Sequence, residues 1–275
     1  MAGDLSITAL YTSHTWLWAG LSHAELFANH QAKKVFRATN SVMALVGLLR
    51  RDLPSLPHSL VQRHLMIDYL LHEFAFCQVI EIAAGLSRRG AAFSADPAWS
   101  YTEVDLPQVI ARKRELLART TAGQELLDRP NWRTLTGNAQ TFDFDAVVDR
   151  ERPLGLIAEG LFMYFDAQTR FELWRALANV LRTVPRGVLI FDLVPPAEEP
   201  PPGVVGNWLS RIMRTFTGGS TFVRDNTTRD QIVSDLREAG FATIEMYEPH
   251  TVSPEWNLPF VGERRTQQVV FSCQI

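Results

Sequence analysis

Residues 78–87 read Gln-Val-Ile-Glu-Ile-Ala-Ala-Gly-Leu-Ser, and this stretch decides the fold class. Its first half is a short apolar run of the kind that forms a buried strand, and its second half is rich in small residues. A strand that leads through small residues into a helix lets a ligand approach the backbone at the helix N-terminus. The same pattern suits a plain tight turn, so the stretch by itself leaves both interpretations open.

Further strand-like runs follow this one, and most are separated by helical segments. After 78–83 they lie at residues 100–104, 132–136, 154–158, 188–193, 241–247 and 267–273. Strands that alternate with helices predict a parallel sheet with right-handed crossovers. The last two runs have no helix between them, which predicts an antiparallel pair. The predicted fold class is α/β, a Rossmann-like seven-stranded sheet that is mostly parallel with an antiparallel last strand.

The whole chain, 1–275, is assigned to a single domain. Residues 1–76 show helical patterning without a strand and are expected to form an N-terminal helical cap. Residues 77–194 and 229–275 supply the sheet. The stretch 195–228 is broken by proline and glycine and is long for a connection, so it is predicted to be a helical lid insertion over the substrate.

Two common phosphate-binding patterns do not fit the turn after the first strand. The dinucleotide fingerprint needs glycine at three positions, which here would be Ala83, Gly85 and Arg88. The phosphate-loop pattern fails because Gly90 is not followed by lysine. Asp105 ends the second strand, where it could accept hydrogen bonds from a ribose or simply precede the next helix as its N-cap.

Composition excludes several classes of protein. The 27 basic and 30 acidic residues give a net charge of −3, without the basic excess of a nucleic-acid binder. Two distant cysteines, no basic residue before Lys33 and no apolar run long enough to span a membrane indicate a cytoplasmic protein. No metal site is expected, although His64, Asp68 and His72 share one helix face.

Three motifs in succession resemble the leucine carboxyl methyltransferase family, in particular its bacterial branch of polyketide and other natural-product O-methyltransferases. They read EIAAGLSRRG (81–90), YTEVDLPQVIARK (101–113) and AEGLFMYF (158–165). The resemblance covers about residues 60 to 275 and implies the class I methyltransferase fold. It also implies S-adenosylmethionine as the cofactor and S-adenosylhomocysteine as the product. Two departures stand out: the family often has glycine where this chain has Ala83, and many members carry an acid where Asn138 stands.

The resemblance also implies which residues contact the cofactor. The candidates are Arg63, Glu81, Ala83, Gly85, Asp105, Leu106, Asn138, Ala139 and Glu159. Among them, Arg63 would pair with the cofactor carboxylate and Asp105 would hold the ribose. Glu159 would lie near the methionyl amino group, and Asn138 with its neighbour would flank the adenine. The turn around Gly85 would pass beneath the methionine part.

Candidate catalytic and substrate residues come from the segments outside the motifs. His14 is the candidate base or orienting group, with Tyr164 as the second catalytic candidate. The acceptor pocket is predicted to use aromatic side chains, namely Tyr11, Trp16, Trp18, Trp208 and Phe222. The alternative is that these residues only pack the cap, because aromatic residues at helical spacing usually lie in a core.

The predicted function is S-adenosylmethionine-dependent O-methylation of a small-molecule acceptor. Formation of a carboxyl methyl ester on an organic acid or polyketide-like compound is favoured, because an acid is already ionised at neutral pH and needs no base. Phenolic O-methylation is the alternative, since a phenol is helped by a base. A non-catalytic cofactor-binding scaffold is the third hypothesis. The predicted partners are the acceptor and, as a possibility, a second copy of the chain in a homodimer. Neither nucleic acid nor a membrane is expected as a partner.

Overall fold

The structure, a computed structural model, describes residues 7–49, 54–198, 226–262 and 268–275. Seven strands form one sheet: β1 Gln78–Ile82, β2 Ser100–Asp105, β3 Trp132–Thr136, β4 Leu154–Ala158, β5 Gly187–Asp192, β6 Thr243–Tyr247 and β7 Val270–Gln274. They are ordered β3-β2-β1-β4-β5-β7-β6. The pairs among β1 to β5 are parallel, and β7 runs antiparallel to both β5 and β6. The predicted sheet with its antiparallel last strand is confirmed.

Helices connect and cover these strands. Those in the described part of the chain are α1 Ile7–Trp18, α2 His30–Leu49, α3 Leu56–Phe74, α4 Arg89–Phe93, α5 Pro107–Leu117, α6 Thr121–Leu127, α7 Ala167–Leu181 and α8 Arg229–Ala239. The side chains of Asp166 and Thr228 accept backbone N–H bonds at the starts of α7 and α8, which satisfies amides that a helix leaves unpaired. None of these described helices is long and apolar enough to cross a bilayer.

The sheet separates two apolar layers, and β5 shows why both are buried. Leu189 and Phe191 point into the layer that contains Trp174 of α7, whereas Val188 and Ile190 join the opposite layer with the residues of α3. Successive side chains of a strand face opposite sides, so a strand covered by helices on both faces must be apolar throughout. This explains why β1, β4 and β5 were recognisable as short apolar runs.

The helices of the N-terminal segment form a smaller apolar cluster of their own. Tyr11 and Trp16 of α1 pack there with Phe36 of α2 and Leu60 of α3. Helix α1 lies over the edge of the sheet where the parallel strands end, since a Cβ placed on Gly85, in the turn after β1, would lie 3.7 Å from Ala9 Cβ.

Most of the predicted lid, residues 195–228, lies outside the described residues, and Trp208 and Phe222 lie there with it. Their roles stay predictions. The described ends of this stretch are a short 3-10 turn at Pro196–Glu198 and the start of α8.

Candidate active site

A cleft of about 580 Å³ opens at the carboxyl edge of the parallel strands. Its walls are the segments that follow β1, β2, β3 and β4, together with residues of α1 and α3. In the sheet, β1 lies between β2 and β4, so the chain leaves β1 and β4 in opposite directions at this point. Open α/β sheets bind ligands at such a switch point. The cleft is therefore the candidate active site.

The turn after β1 forms the floor of the cleft. Ala83 has a φ of +57° and Gly85 a φ of +53°, so the backbone turns through the left-handed region twice. The Gly85 amide donates to Oδ2 of Asp105 over 2.7 Å, and the Leu106 amide donates to Oδ1 over 2.7 Å. Asp105 thus joins the end of β2 to the turn after β1. Each carboxylate oxygen has a second lone pair that can still accept a ribose hydroxyl.

Helix α4 approaches the sheet closely at Gly90. A Cβ placed there would lie 2.2 Å from Glu103 Oε1 and 2.5 Å from Trp132 Nε1, so no other residue fits without movement. Gly90 thus allows the helix to contact the strand. It lies two positions after Arg88, where the dinucleotide fingerprint would require glycine. Arg88 and Arg89 are instead free to extend into a buried network of charges.

Arg63 of α3 lies in this cleft, held by two carboxylates. Its Nε donates to Glu159 Oε1 and its Nη1 to Asp192 Oδ2, each over 2.9 Å. Asp192 Oδ1 also accepts the Gly160 amide, at 2.5 Å. Gly160 has a φ of +68°, and a Cβ there would lie 3.4 Å from Arg63 Nη2. The glycine therefore leaves room beside this third nitrogen of the guanidinium.

Glu159 joins Arg63 to a second arginine. Its Oε2 accepts from Arg89 Nη2 at 2.8 Å and lies 2.9 Å from His64 Nδ1. Arg89 also binds Asp68 Oδ1 at 2.6 Å and Glu81 Oε1 at 2.5 Å. The side chains of Arg63, His64, Asp68, Glu81 and Arg89 are buried, and that of Glu159 is 8% exposed. A charge so deep in the protein is stable only when it is paired and hydrogen-bonded, and this network provides both.

The network shifts the pKa values of its members. Burial alone would raise the pKa of Glu159, but the neighbouring His64, Arg63 and Arg89 hold it well below its usual value. Burial raises the pKa of Asp192 and outweighs the opposing effect of Arg63. Burial also lowers the pKa of His64, with a further contribution from Arg89, so the imidazole is neutral near pH 7. Its Nδ1 lies between Glu159 Oε2, at 2.9 Å, and Arg89 Nη2, at 3.0 Å.

The charges and surfaces of the cleft fit the predicted cofactor. The described residues that line the cleft include one arginine (Arg63) and three carboxylates (Glu81, Asp105 and Glu159), a formal surplus of two negative charges. S-adenosylmethionine carries a net positive charge through its sulfonium, so this balance suits it. Leu106 keeps 39% of its surface exposed, an apolar face that a purine ring would cover.

The turn after β3 forms the far wall on the purine side. Asn138 and Ala139 line the cleft as predicted. The Asn138 side-chain oxygen accepts the Gln140 amide over 3.0 Å, so the side chain fixes its own turn. Its side-chain NH₂ group is the part that can bind a base edge.

One face of α1 forms the roof of the cleft. Thr8, Thr12 and Trp16, spaced by four residues, share this face. Thr8 Oγ1 lies 3.4 Å from the Tyr164 hydroxyl, which comes from the 3-10 turn Phe162–Tyr164. Trp16 stacks on His64 with ring centroids 4.2 Å apart. The structure thus brings Trp16 and Tyr164, but not all of the predicted acceptor residues, to the cleft.

His14, Tyr11 and Trp18 are absent from the described lining of the cleft and pack elsewhere, so the roles predicted for them stay predictions. His14 is two residues from Thr12, roughly 200° around the helix, and packs edge-on against Phe36 of α2 at 4.9 Å. Tyr11 is buried and donates to Asn40 Oδ1 over 2.8 Å. Trp18 stacks on His58 and Phe260 instead.

Three residues important to the cleft were not singled out from the sequence as site residues. Arg89 begins α4 after β1, Asp192 ends β5 and Gly160 follows β4, at the same edge of the sheet as the predicted ones. The signal that could have found Asp192 is its position as a charged residue ending an otherwise apolar strand. Within the described residues, no group of three metal-capable side chains is assembled, and Asp68 is instead paired with Arg88 and Arg89.

A model of the leucine carboxyl methyltransferase family matches residues 21–178, which is more than half of the chain. The chain belongs to the leucine carboxyl methyltransferase family. This confirms the family that the three motifs indicated and, with it, S-adenosylmethionine as the cofactor. The family match begins well before residue 60, so it includes α2 and α3 of the N-terminal segment.

Individual proteins match this chain over shorter segments than the family model does. The tetracenomycin polyketide synthesis O-methyltransferase TcmP of Streptomyces glaucescens is 29% identical over 118 residues, 43% of this chain and 39% of that protein. A protein of Mycolicibacterium paratuberculosis assigned to the S-adenosylmethionine-dependent methyltransferases is 33% identical over 36% of this chain and 33% of its own. The matched segments therefore span less than half of either relative.

Solved structures support the fold. An O-methyltransferase family protein from Burkholderia thailandensis superposes with a TM-score of 0.53 at 15% identity, covering 98% of this chain and 71% of its own. A protein of Nostoc punctiforme PCC 73102 assigned as an O-methyltransferase also gives 0.53, at 19% identity, over 80% of this chain and 57% of its own. At these identities the likeness concerns the class I methyltransferase fold.

Proposed function

We propose that this family member transfers the methyl group of S-adenosylmethionine to a carboxylate oxygen of a small organic acid, forming a methyl ester. The observation that carries the proposal is the chemistry of the cleft beneath α1. Thr8, Thr12 and Tyr164 line it with hydroxyl groups, whereas His14, the candidate base, faces α2. An acid acceptor needs hydrogen-bond donors but no base, because it is already ionised at neutral pH.

The other titratable side chains in the described walls of the cleft support the same proposal. Glu81 and Glu159 are held in ion pairs, and Asp105 accepts two backbone amides. His64 is neutral, but its Nε2 is buried and shielded from solvent. A phenol, with a pKa near 10, would need one of these groups to take its proton. Phenolic methylation is therefore the less favoured alternative.

The protein's part in this chemistry is alignment and exclusion of water. When bound, S-adenosylmethionine supplies a methyl group on a positively charged sulfur, which an ionised oxygen takes up as S-adenosylhomocysteine leaves. The surplus negative charge of the cleft suits the positive sulfur, and α1 covers the floor at Gly85. Holding two reactants in line can supply several kcal/mol of the rate enhancement without any acid or base.

Methyl-labelled S-adenosylmethionine, incubated with the protein and a panel of aromatic acids and phenols, tests the proposal. We expect one of the acids to give a labelled product. Mild base should release the label from this product as methanol, and this release identifies an ester. A base-stable label would identify an aryl ether and replace the ester proposal with the phenolic alternative. Cofactor binding by calorimetry without any labelled product over the panel would favour the non-catalytic scaffold.

A further inference from the structure

Asp192, at the end of β5, is completely buried beside the predicted cofactor site, and both of its carboxylate oxygens are used. One accepts the Gly160 amide and the other pairs with Arg63 Nη1. The register of the sheet explains the arrangement. Ala158 of β4 pairs with Phe191 of β5, so the next residues along, Glu159 and Asp192, reach the same edge side by side.

These two carboxylates hold Arg63 from different sides. Glu159 binds its Nε and Asp192 binds its Nη1, which fixes the plane of the guanidinium. Its remaining nitrogen, Nη2, lies beside Gly160, a residue that also lines the cleft. An arginine presents its donors in a rigid fork, so fixing two nitrogens determines where the third one points.

We infer that Asp192 is a positioning residue for the cofactor: it orients Arg63 so that the guanidinium can bind the carboxylate of the methionyl part. The inference rests on the proposed function, because it requires S-adenosylmethionine in this cleft. The alternative is a purely structural ion pair between α3 and β5. The two differ in one respect: a positioning residue acts only on ligands that carry the amino-acid part.

Two probes separate these roles in calorimetric titrations. S-adenosylhomocysteine carries the amino-acid part, and 5′-methylthioadenosine has the same adenosine and thioether without it. For Asp192→Asn we expect the dissociation constant of S-adenosylhomocysteine to rise about tenfold, and that of methylthioadenosine to change by less than about twofold. The amide can accept from Gly160 with its oxygen, but its NH₂ then faces Arg63 Nη1, donor against donor.

Asp192→Ser provides a second variant in case the asparagine prevents folding, because its shorter side chain carries no NH₂ group to oppose Arg63. Asp105→Asn is the matched control at the ribose end and should weaken both probes alike. In an Arg63→Lys background the guanidinium is absent. Adding Asp192→Ser to that background should therefore change the dissociation constants of the two probes by the same factor.

The outcomes keep this inference separate from the proposed function. If the unaltered protein binds neither probe, the proposed cofactor site is wrong. If it binds both, and the Asp192 variants weaken both equally or neither, Asp192 is only a structural ion pair and the inference is overturned. Selective loss of S-adenosylhomocysteine that disappears in the Arg63→Lys background supports it.

Discussion

The Gly85 amide donates to Oδ2 of Asp105 over 2.7 Å, and this bond connects the turn after β1 to the end of β2 across the floor of the cleft. The other oxygen of Asp105 accepts the Leu106 amide at the start of α5. One carboxylate therefore fixes two backbone segments that the predicted cofactor would contact. Both of its oxygens must accept a hydrogen bond for this. Replacing Asp105 by asparagine, which has nearly the same shape, would therefore break one of the two bonds.

Asp105→Asn should lower both stability and cofactor affinity. An asparagine has one acceptor oxygen, so one of the two amides would face its NH₂ group and lose about 1–3 kcal/mol of hydrogen bonding and solvation. Chemical denaturation and calorimetric titration with S-adenosylhomocysteine measure the two effects. Asp96→Asn is the matched control, because Asp96 is exposed and its side chain accepts the Ala98 amide. Equal effects in the two variants would contradict the role assigned to Asp105.

His14→Ala should leave methyl transfer largely intact. A general base contributes about 10²–10⁴-fold to a rate, so removal of a true base would be unmistakable. His14 instead packs against Phe36, and the substitution should cost stability through that lost contact. Initial rates at saturating cofactor and melting temperatures, measured for both proteins, test whether the substitution lowers stability without lowering the rate. A hundredfold loss of rate in a folded variant would restore His14 as the catalytic base.

Ala83→Gly should stabilise the protein. The left-handed backbone at Ala83 costs a residue with a side chain about 1–2 kcal/mol, whereas the extra flexibility of glycine costs about 0.5–1 kcal/mol. We therefore expect a net gain of at most about 1.5 kcal/mol in the free energy of unfolding. Ala84→Gly is the control, since Ala84 has no positive φ and should only lose stability. Destabilisation of equal size in both variants would rule out strain at Ala83.

Glu159→Gln should destabilise the protein in a pH-dependent way. Removing one partner from a buried ion-pair network costs about 3–5 kcal/mol. Because the folded state lowers the pKa of Glu159 below the ordinary 4.5, the stabilisation is complete above that pH and is lost as the pH falls further. The difference between the two proteins should thus be largest near pH 7 and should shrink below pH 4.5.

Denaturant titrations at pH 7 and pH 4 provide the measurement for Glu159→Gln. Glu115→Gln is the control, because Glu115 pairs with Arg112 and Arg119 on an exposed helix surface and should be nearly neutral at both pH values. A pH-independent difference for Glu159→Gln would show that Glu159 is not ionised in the folded protein.

The succession of strands along the chain and the residues at their ends could be predicted from the sequence. Buried parallel strands must be apolar, so β1, β4 and β5 were visible as runs, and the carboxyl ends of parallel strands meet at one edge. Asp105 was expected at this edge from its place at the end of β2, whereas Asn138 and Glu159 were implied by the family resemblance; all three line the cleft.

The rotation of α1 about its axis could not be predicted in the same way. Its apolar and aromatic residues occur all around the helix, so the sequence does not mark which face meets the sheet. Packing against Phe36 and Leu60 decides it, and turns Trp16 rather than His14 toward the cleft. The pairing of Arg63 with Asp192 was equally hidden, because the two residues are 129 positions apart.

The position of β7 has a consequence for synthesis of the protein. Of the seven described strands, β7 leaves the ribosome after the others, yet it lies between β5 and β6. Until Val270–Gln274 have been made, β5 presents an unpaired edge and β6 has no neighbour in the sheet. Exposed strand edges promote association between nascent chains. We therefore expect the yield of soluble protein to depend on the time between synthesis of β6 and synthesis of β7. Chaperones that hold the nascent chain during this time should increase the yield.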